Sequence, residues 1–105
     1  MCGITGFTYN NIGKDTLSHV ITEMNERLGH RGPDADGKWI DEDKGIALGH
    51  RRLSIIDLTE TGSQPMVSHD GRFVMVYNGE IYNFEKLGNE LSVKINGLEF
   101  RGSSD

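Results

Sequence analysis

Hydrophobic and polar residues follow two different periods in the first third of the chain. Small, branched and aromatic side chains alternate over residues 3–9, which predicts a short strand. In the next segment, apolar residues recur three or four positions apart, which predicts one amphipathic helix with one buried face. Its apolar positions are Leu17, Val20, Ile21, Met24 and Leu28. Asp15 and Thr16 are candidate N-caps, and Gly29 is a candidate C-terminal stop.

The pattern in the middle of the chain favours strands. Residues 37–40 and 46–58 are predicted to be extended, with a turn over residues 41–45 between them. The dipeptide Asp70-Gly71 is a hairpin signal. It precedes a predicted strand at residues 72–77, in which the unbroken apolar run at residues 73–77 indicates burial on both faces.

The last third of the chain combines a short helix with one more strand. Asn83 can cap a helix that carries Phe84, Leu87 and Leu91 on one face. Residues 98–101 predict a strand, and no closing element follows it, so we expect the protein to continue. Strands and helices mixed in this order predict an α+β fold.

Composition and charge narrow the class of protein. The chain has 105 residues and a formal net charge of −5, and its 11 lysines and arginines are scattered, with Arg51-Arg52 as the one adjacent pair, which argues against a nucleic-acid surface. The single cysteine allows no internal disulfide. The sequence contains no long apolar run and no secretory signal pattern, so we expect a cytoplasmic protein without membrane contact.

Cys2 is a candidate nucleophile because of its position. If Met1 is removed, Cys2 carries both a thiol and a free α-amine, and the amine can act as the base for its own thiol. An α-amine has a pKa of about 7.7–8.0, against about 10.4 for a lysine, so it can lose its proton near neutral pH. A lone cysteine is more often a bystander, and the tripeptide Met-Cys-Gly by itself is weak evidence.

Six segments, in order along nearly the whole chain, carry a family resemblance. They are Met1-Cys2-Gly3-Ile4, His30-Arg31-Gly32-Pro33-Asp34, Gly49-His50-Arg51-Arg52-Leu53-Ser54-Ile55-Ile56-Asp57, Gln64-Pro65-Met66, Tyr77-Asn78-Gly79-Glu80-Ile81-Tyr82-Asn83 and Ser104-Asp105. Together they resemble the N-terminal glutaminase domain of glutamine-hydrolysing asparagine synthetases. That domain is a class II glutamine amidotransferase of the N-terminal-nucleophile hydrolase type.

The resemblance implies a fold, partners and cofactors. The fold is a four-layer αββα sandwich, of which residues 1–105 would form roughly the first half. The family's synthetase domain, which uses ATP and magnesium, would lie outside these residues. The chain alone would therefore make no asparagine, and we expect it to be inactive as an isolated piece. The glutaminase step needs no cofactor. The expected partners are glutamine, the protein's own C-terminal synthetase domain and, for the parent, a second copy in a homodimer.

The resemblance also implies roles for particular residues. Cys2 is the nucleophile, and the Asn78 side chain and the Gly79 backbone N–H bind the oxyanion. Arg52 binds the substrate α-carboxylate, and Asp105 binds its α-ammonium. Further residues line the pocket, namely Leu53, Ser54, Ile55, Ile56 and Glu80.

Other interpretations of the same residues stay open. Asn78-Gly79 is also a common hairpin turn, and the segment from His30 to Asp34 is also a structural loop. The histidines show no metal-ligand spacing with Cys2, so we expect no metal. Alternative functions are a glutaminase domain that serves a different acceptor, a non-catalytic fragment, and a simple redox thiol at Cys2.

Overall fold

The computed structural model describes residues 1–53 and 60–102, which form two compact units. Of the described residues, the first unit comprises 1–53 and 63–78, and the second comprises 60–62 and 79–102. The elements in chain order are β1 (Gly3–Thr8), α1 (Lys14–Arg27), β2 (Ala35–Asp41), β3 (Ile46–Arg52), a short 3-10 turn (Glu60–Gly62), β4 (Met66–Val67), β5 (Val74–Met75) and α2 (Phe84–Lys94). This mixture of helices and short antiparallel strands confirms the coarse prediction of fold class.

The first unit is built on a three-stranded antiparallel sheet in the order β1-β3-β2. The register pairs Gly3 with Arg51 and Ile4 with His50 across β1 and β3, and it pairs Gly37 with His50 across β2 and β3. The predicted turn between β2 and β3 is confirmed. It closes through Gly45, whose positive φ of 63° and close approach to the Tyr9 carbonyl leave no space for a side chain.

Helix α1 covers one face of this sheet. Leu17 and Ile21 from α1 and Ala47 from β3 are fully buried and form the apolar core of the unit. The helix begins at Lys14 with Gly13 at the N-cap position, so the prediction of a cap at Asp15 or Thr16 is wrong. The Gly13 carbonyl accepts hydrogen bonds from backbone N–H groups of the first turn, so the helix begins there without a side-chain cap.

The α1 face also contains a buried polar residue that the hydrophobic pattern does not predict. Asn25 is 2% exposed, and its Nδ2 donates to the Gly37 carbonyl at 2.8 Å. Gly49 makes room for it, because a Cβ at that position would lie 2.3 Å from Asn25 Oδ1. Among the described residues, that oxygen has no hydrogen-bond partner.

Residues 63–78 lie against the opposite face of the sheet. Side chains alternate between the faces of a strand, so the paired positions of Ile4, Gly37 and His50 lie on the face away from α1. At Gly37 a Cβ would come within 2.0 Å of the Gln64 carbonyl oxygen, which shows how closely this segment approaches. The hairpin predicted at Asp70-Gly71 is confirmed: β4 and β5 pair on either side of Gly71, whose φ is 72°.

Two strand predictions are wrong. The strand predicted at residues 72–77 is reduced to the two-residue strand β5, and Phe73 is 64% exposed rather than buried. In the described part of the chain this run has the equally short β4 as its only strand partner, so it cannot bury both faces. Residues 98–101 form no strand.

The second unit contains α2, and Asn83 stands at its predicted N-cap position, but its side chain makes no capping hydrogen bond. Leu87 and Leu91 are 40% and 42% exposed, so the apolar stripe of α2 is only partly covered within the described residues. Phe100 lies against Gly88, where a Cβ would be 3.6 Å from the ring. The unit is therefore much less buried than the sheet and α1.

Candidate active site

The predicted nucleophile lies directly before β1, against the backbone that follows β3. The Leu53 N–H donates to Cys2 Sγ at 3.3 Å, and the thiol faces the Leu53 carbonyl at 3.6 Å. Cys2 is half-buried, and its neighbour Gly3 is fully buried beside Leu28 and Arg31. The antiparallel pairing of β1 with β3 thus brings Cys2 and Leu53 together, although they are far apart in sequence.

Two adjacent arginines at the end of β3 have different environments. Arg51 turns toward the α1 side, donates from Nε to the Gly32 carbonyl at 2.9 Å and lies 3.7 Å from Asp36. Alternation along the strand assigns Arg52 to the other face, which also carries His50. Arg52 is half-buried, and its carbonyl accepts the Asp34 N–H at 3.0 Å. Of the two arginines, Arg52 is therefore the one on the face away from α1.

The loop that follows α1 is held by backbone contacts. Gly32 is buried against β3, and a Cβ there would lie 2.3 Å from the carbonyl carbon of Arg51. The hydrogen bonds from Arg51 and Asp34 fix the two sides of this turn. The close approach of β3 therefore accounts for the glycine at position 32 through packing.

Asn78 is exposed at the end of the first unit, and the residue before it is held firmly. The side chain of Gln64 bonds to both backbone groups of Tyr77: its Nε2 donates to the Tyr77 carbonyl at 3.1 Å, and its Oε1 accepts the Tyr77 N–H. His50 Nε2 donates to the same carbonyl at 3.3 Å. A carbonyl oxygen can accept both bonds because it has two lone pairs.

His50 is neutral in this environment. It is 1% exposed, and burial lowers the pKa of its imidazole because the charged form would lose its hydration. The carbonyl of Tyr77 partly opposes this shift, whereas the positive charge of Arg52 lowers the pKa further. A carbonyl only accepts hydrogen bonds, so the proton of the neutral ring lies on Nε2.

The remaining predicted site residues fall into two groups. Gly79 and Glu80 are exposed and belong to the second unit. Ser54, Ile55, Ile56 and Asp105 lie outside the described residues.

Sequence reasoning assigned no role to His50, Gln64 or Tyr77. All three stand within the segments that carry the family resemblance, but the pattern gives no sign that they contact one another. In the described ranges no group of histidine, cysteine and carboxylate side chains is suited to a metal ion. No helix there is long and apolar enough to cross a membrane.

Comparison with known proteins identifies the class. The sequence profile of the glutamine amidotransferase domain family matches residues 1–105, and the chain belongs to that family. It is 42% identical to asparagine synthetase [glutamine-hydrolyzing] 1 of Bacillus subtilis and 46% identical to asparagine synthetase [glutamine-hydrolyzing] of Zea mays, in each case over 100% of this chain. It is also 36% identical over its full length to amidase chry2 of Gibberella zeae.

These relatives are much longer proteins. The chain spans 16% of the Bacillus subtilis synthetase and of the Gibberella zeae amidase, and 17% of the Zea mays synthetase. The resemblance to glutamine-hydrolysing asparagine synthetases that the sequence motifs predict is confirmed.

Proposed function

We propose that the complete protein to which residues 1–105 belong hydrolyses the side-chain amide of glutamine to glutamate and ammonia, with Cys2 as the nucleophile. The contact between Cys2 Sγ and the Leu53 backbone supports this proposal, because it holds a half-buried thiol next to Arg52 in a member of an amidotransferase family. Removal of Met1 would free the α-amine of Cys2, which would take the thiol proton and return it to the leaving ammonia.

The tetrahedral intermediate needs hydrogen-bond donors that are in place before charge develops on its oxygen. We assign this role to the Asn78 side-chain amide and the Gly79 backbone N–H. Collapse of the intermediate breaks the carbon–nitrogen bond, releases ammonia and leaves a γ-glutamyl thioester on Cys2. Water then attacks the thioester, with the Cys2 amine as base, and glutamate leaves.

The substrate is a zwitterion, and both of its charged ends need partners. The Arg52 guanidinium would bind the α-carboxylate through two parallel hydrogen bonds. Asp105 would bind the α-ammonium. The backbone of residues 53–56 and the side chain of Glu80 would line the rest of the pocket.

We further propose that the complete protein adopts the αββα sandwich and passes its ammonia to a C-terminal synthetase domain. In that domain ATP and magnesium would support asparagine synthesis, whereas the glutaminase step would need no cofactor. A protein of this kind would act in the cytoplasm, as a homodimer. The similarity to an amidase favours one alternative, namely the same glutaminase chemistry serving a different acceptor.

Replacement of the nucleophile in the complete protein tests this function. Cys2→Ala should abolish glutamine hydrolysis and leave synthesis from added ammonia intact. In the unaltered protein, intact mass should show loss of Met1 and one adduct on Cys2 after treatment with 6-diazo-5-oxo-norleucine. Glutamine hydrolysis that survives in Cys2→Ala would contradict the proposal.

A further inference from the structure

The side-chain amide of Gln64 contacts both polar groups of one backbone residue. Its Nε2 donates to the Tyr77 carbonyl at 3.1 Å while its Oε1 accepts the Tyr77 N–H. Tyr77 lies beyond the end of β5, where the described residues provide no strand partner. The Gln64 amide therefore makes the two backbone hydrogen bonds that a neighbouring strand would otherwise make with Tyr77. Both residues are half-buried, so these bonds are partly shielded from competing water.

This contact is held by the three-stranded sheet of the first unit. His50 is buried in β3, paired with Ile4 on one side and Gly37 on the other, and gives the Tyr77 carbonyl its second donor. The Gln64 backbone lies so close to Gly37 that a methyl group would not fit between them. The sheet thus fixes Gln64 and His50, and these two residues fix Tyr77.

The geometry points to Gln64 as a positioning residue for Asn78, an inference that rests on the oxyanion role proposed for Asn78. The peptide unit between Tyr77 and Asn78 is planar, so the Tyr77 carbonyl oxygen and the Asn78 N–H move as one body. Two donors on that oxygen fix the orientation of the plane, and with it the direction in which the chain enters Asn78. The exposed Asn78 amide gains a defined position from contacts one residue earlier.

The consequence for the reaction is specific. A prearranged oxyanion donor acts on the transition state, whereas the ground-state carbonyl gains little from it. Loss of the Gln64 contacts should therefore lower kcat and leave KM for glutamine nearly unchanged. A general loss of folded protein would instead lower the fraction of Cys2 that reacts with 6-diazo-5-oxo-norleucine.

The test measures glutamine hydrolysis by the complete protein, with rates divided by the fraction of Cys2 labelled. Gln64→Met keeps the length of the side chain and removes both polar atoms, and it should lower kcat about 10- to 100-fold, the scale expected when a catalytic group is misplaced. Gln64→Glu keeps an acceptor for the Tyr77 N–H but places a carboxylate against the Tyr77 carbonyl, and it should be slowed as well.

Asn25→Ala is the matched control. Asn25 is another amide side chain that donates to a backbone carbonyl of the first unit, but it lies on the α1 face. Its loss should lower stability without lowering kcat per labelled site. A kcat loss in Asn25→Ala equal to that in Gln64→Met would overturn the inference, because it would show a general structural effect.

A double variant decides whether Gln64 acts through Asn78. When Asn78→Ala has already removed the donor, Gln64→Met should change kcat by less than about twofold, because the two changes are then coupled. If the fold-decreases in kcat of the two single variants multiply in the double variant, the two residues act independently and the inference is overturned.

The inference and the proposed function fail in different ways. If Asn78→Ala lowers kcat and the Gln64 variants keep a normal kcat, the inference is overturned and the proposed function is not. An Asn78→Ala variant of normal kcat would overturn the inference and the oxyanion role assigned to Asn78, whereas glutamine hydrolysis by Cys2 is tested independently by Cys2→Ala.

Discussion

The two faces of the three-stranded sheet are held by different kinds of contact. The α1 face is closed mainly by apolar packing of Leu17, Ile21 and Ala47. On the opposite face, hydrogen bonds from His50 and Gln64 hold the segment that ends in Asn78. Apolar packing is strong and non-directional, whereas hydrogen bonds fix orientation. The comparison indicates that the α1 face provides stability and the opposite face provides the geometry of the proposed site.

Removal of a core side chain on the α1 face should give the largest effect on stability. Ile21→Ala should lower the free energy of unfolding by about 2–5 kcal/mol, through lost burial and the cavity that remains. Urea unfolding measures this change. Below the unfolding transition, the kcat of correctly folded protein should stay near that of the unaltered chain. A large fall in kcat per labelled Cys2 would contradict the division between the faces.

A pair of glycines on neighbouring strands tests the division directly. A Cβ at Gly37 would clash with the Gln64 backbone, and a Cβ at Gly49 would clash with the Asn25 side chain on the α1 side. Gly37→Ala and Gly49→Ala should each cost about 1–3 kcal/mol of stability, the usual range for overpacking. Only Gly37→Ala should also lower kcat, because it displaces Gln64. Equal kcat values in the two variants would argue against the assignment of the site to one face.

The local pattern predicted the elements whose hydrophobic period or turn residues are clear in the sequence itself. β1, α1, β2 and the turn at Gly45 belong to this group. It failed for the strand predicted at residues 72–77, because a strand forms only where a partner strand pairs with it and the sequence does not show which partner is present.

In the proposed site, too, the sequence indicated individual residues but not the contacts between them. The position of Cys2 and the family motifs were readable from the sequence. The contacts of His50 and Gln64 with Tyr77 join residues that are 27 and 13 positions apart, and no local period records such contacts. Asn25 was missed because an amide breaks the apolar stripe that identifies a helix face.

The adjacent arginines of β3 also test the difference between the two faces of the sheet. Arg52→Lys should raise KM for glutamine about tenfold and change kcat little, because an ammonium cannot give the two parallel hydrogen bonds of a guanidinium. Arg51→Lys is the matched control: it removes the bond from Arg51 Nε to the Gly32 carbonyl on the α1 side and should lower stability instead. Steady-state kinetics of both variants separate the two roles, and a KM increase confined to Arg51→Lys would contradict the assignment.

The smallest expected effect is a pH dependence of stability that comes from His50. Burial lowers its pKa in the folded state, so the unfolded chain binds a proton more readily as the pH falls below about 6.5, the ordinary value for histidine. Stability should therefore decrease through this range and stop changing below the folded-state pKa.

His50→Gln keeps a donor at the end of the side chain and removes the titration, so its urea midpoint should change less between pH 7.5 and pH 5.5. Arg52→Lys keeps the neighbouring positive charge and should retain the dependence of the unaltered chain, whereas Arg52→Met should weaken it. A His50→Gln variant as sensitive to acid as the unaltered chain would show that the dependence arises elsewhere.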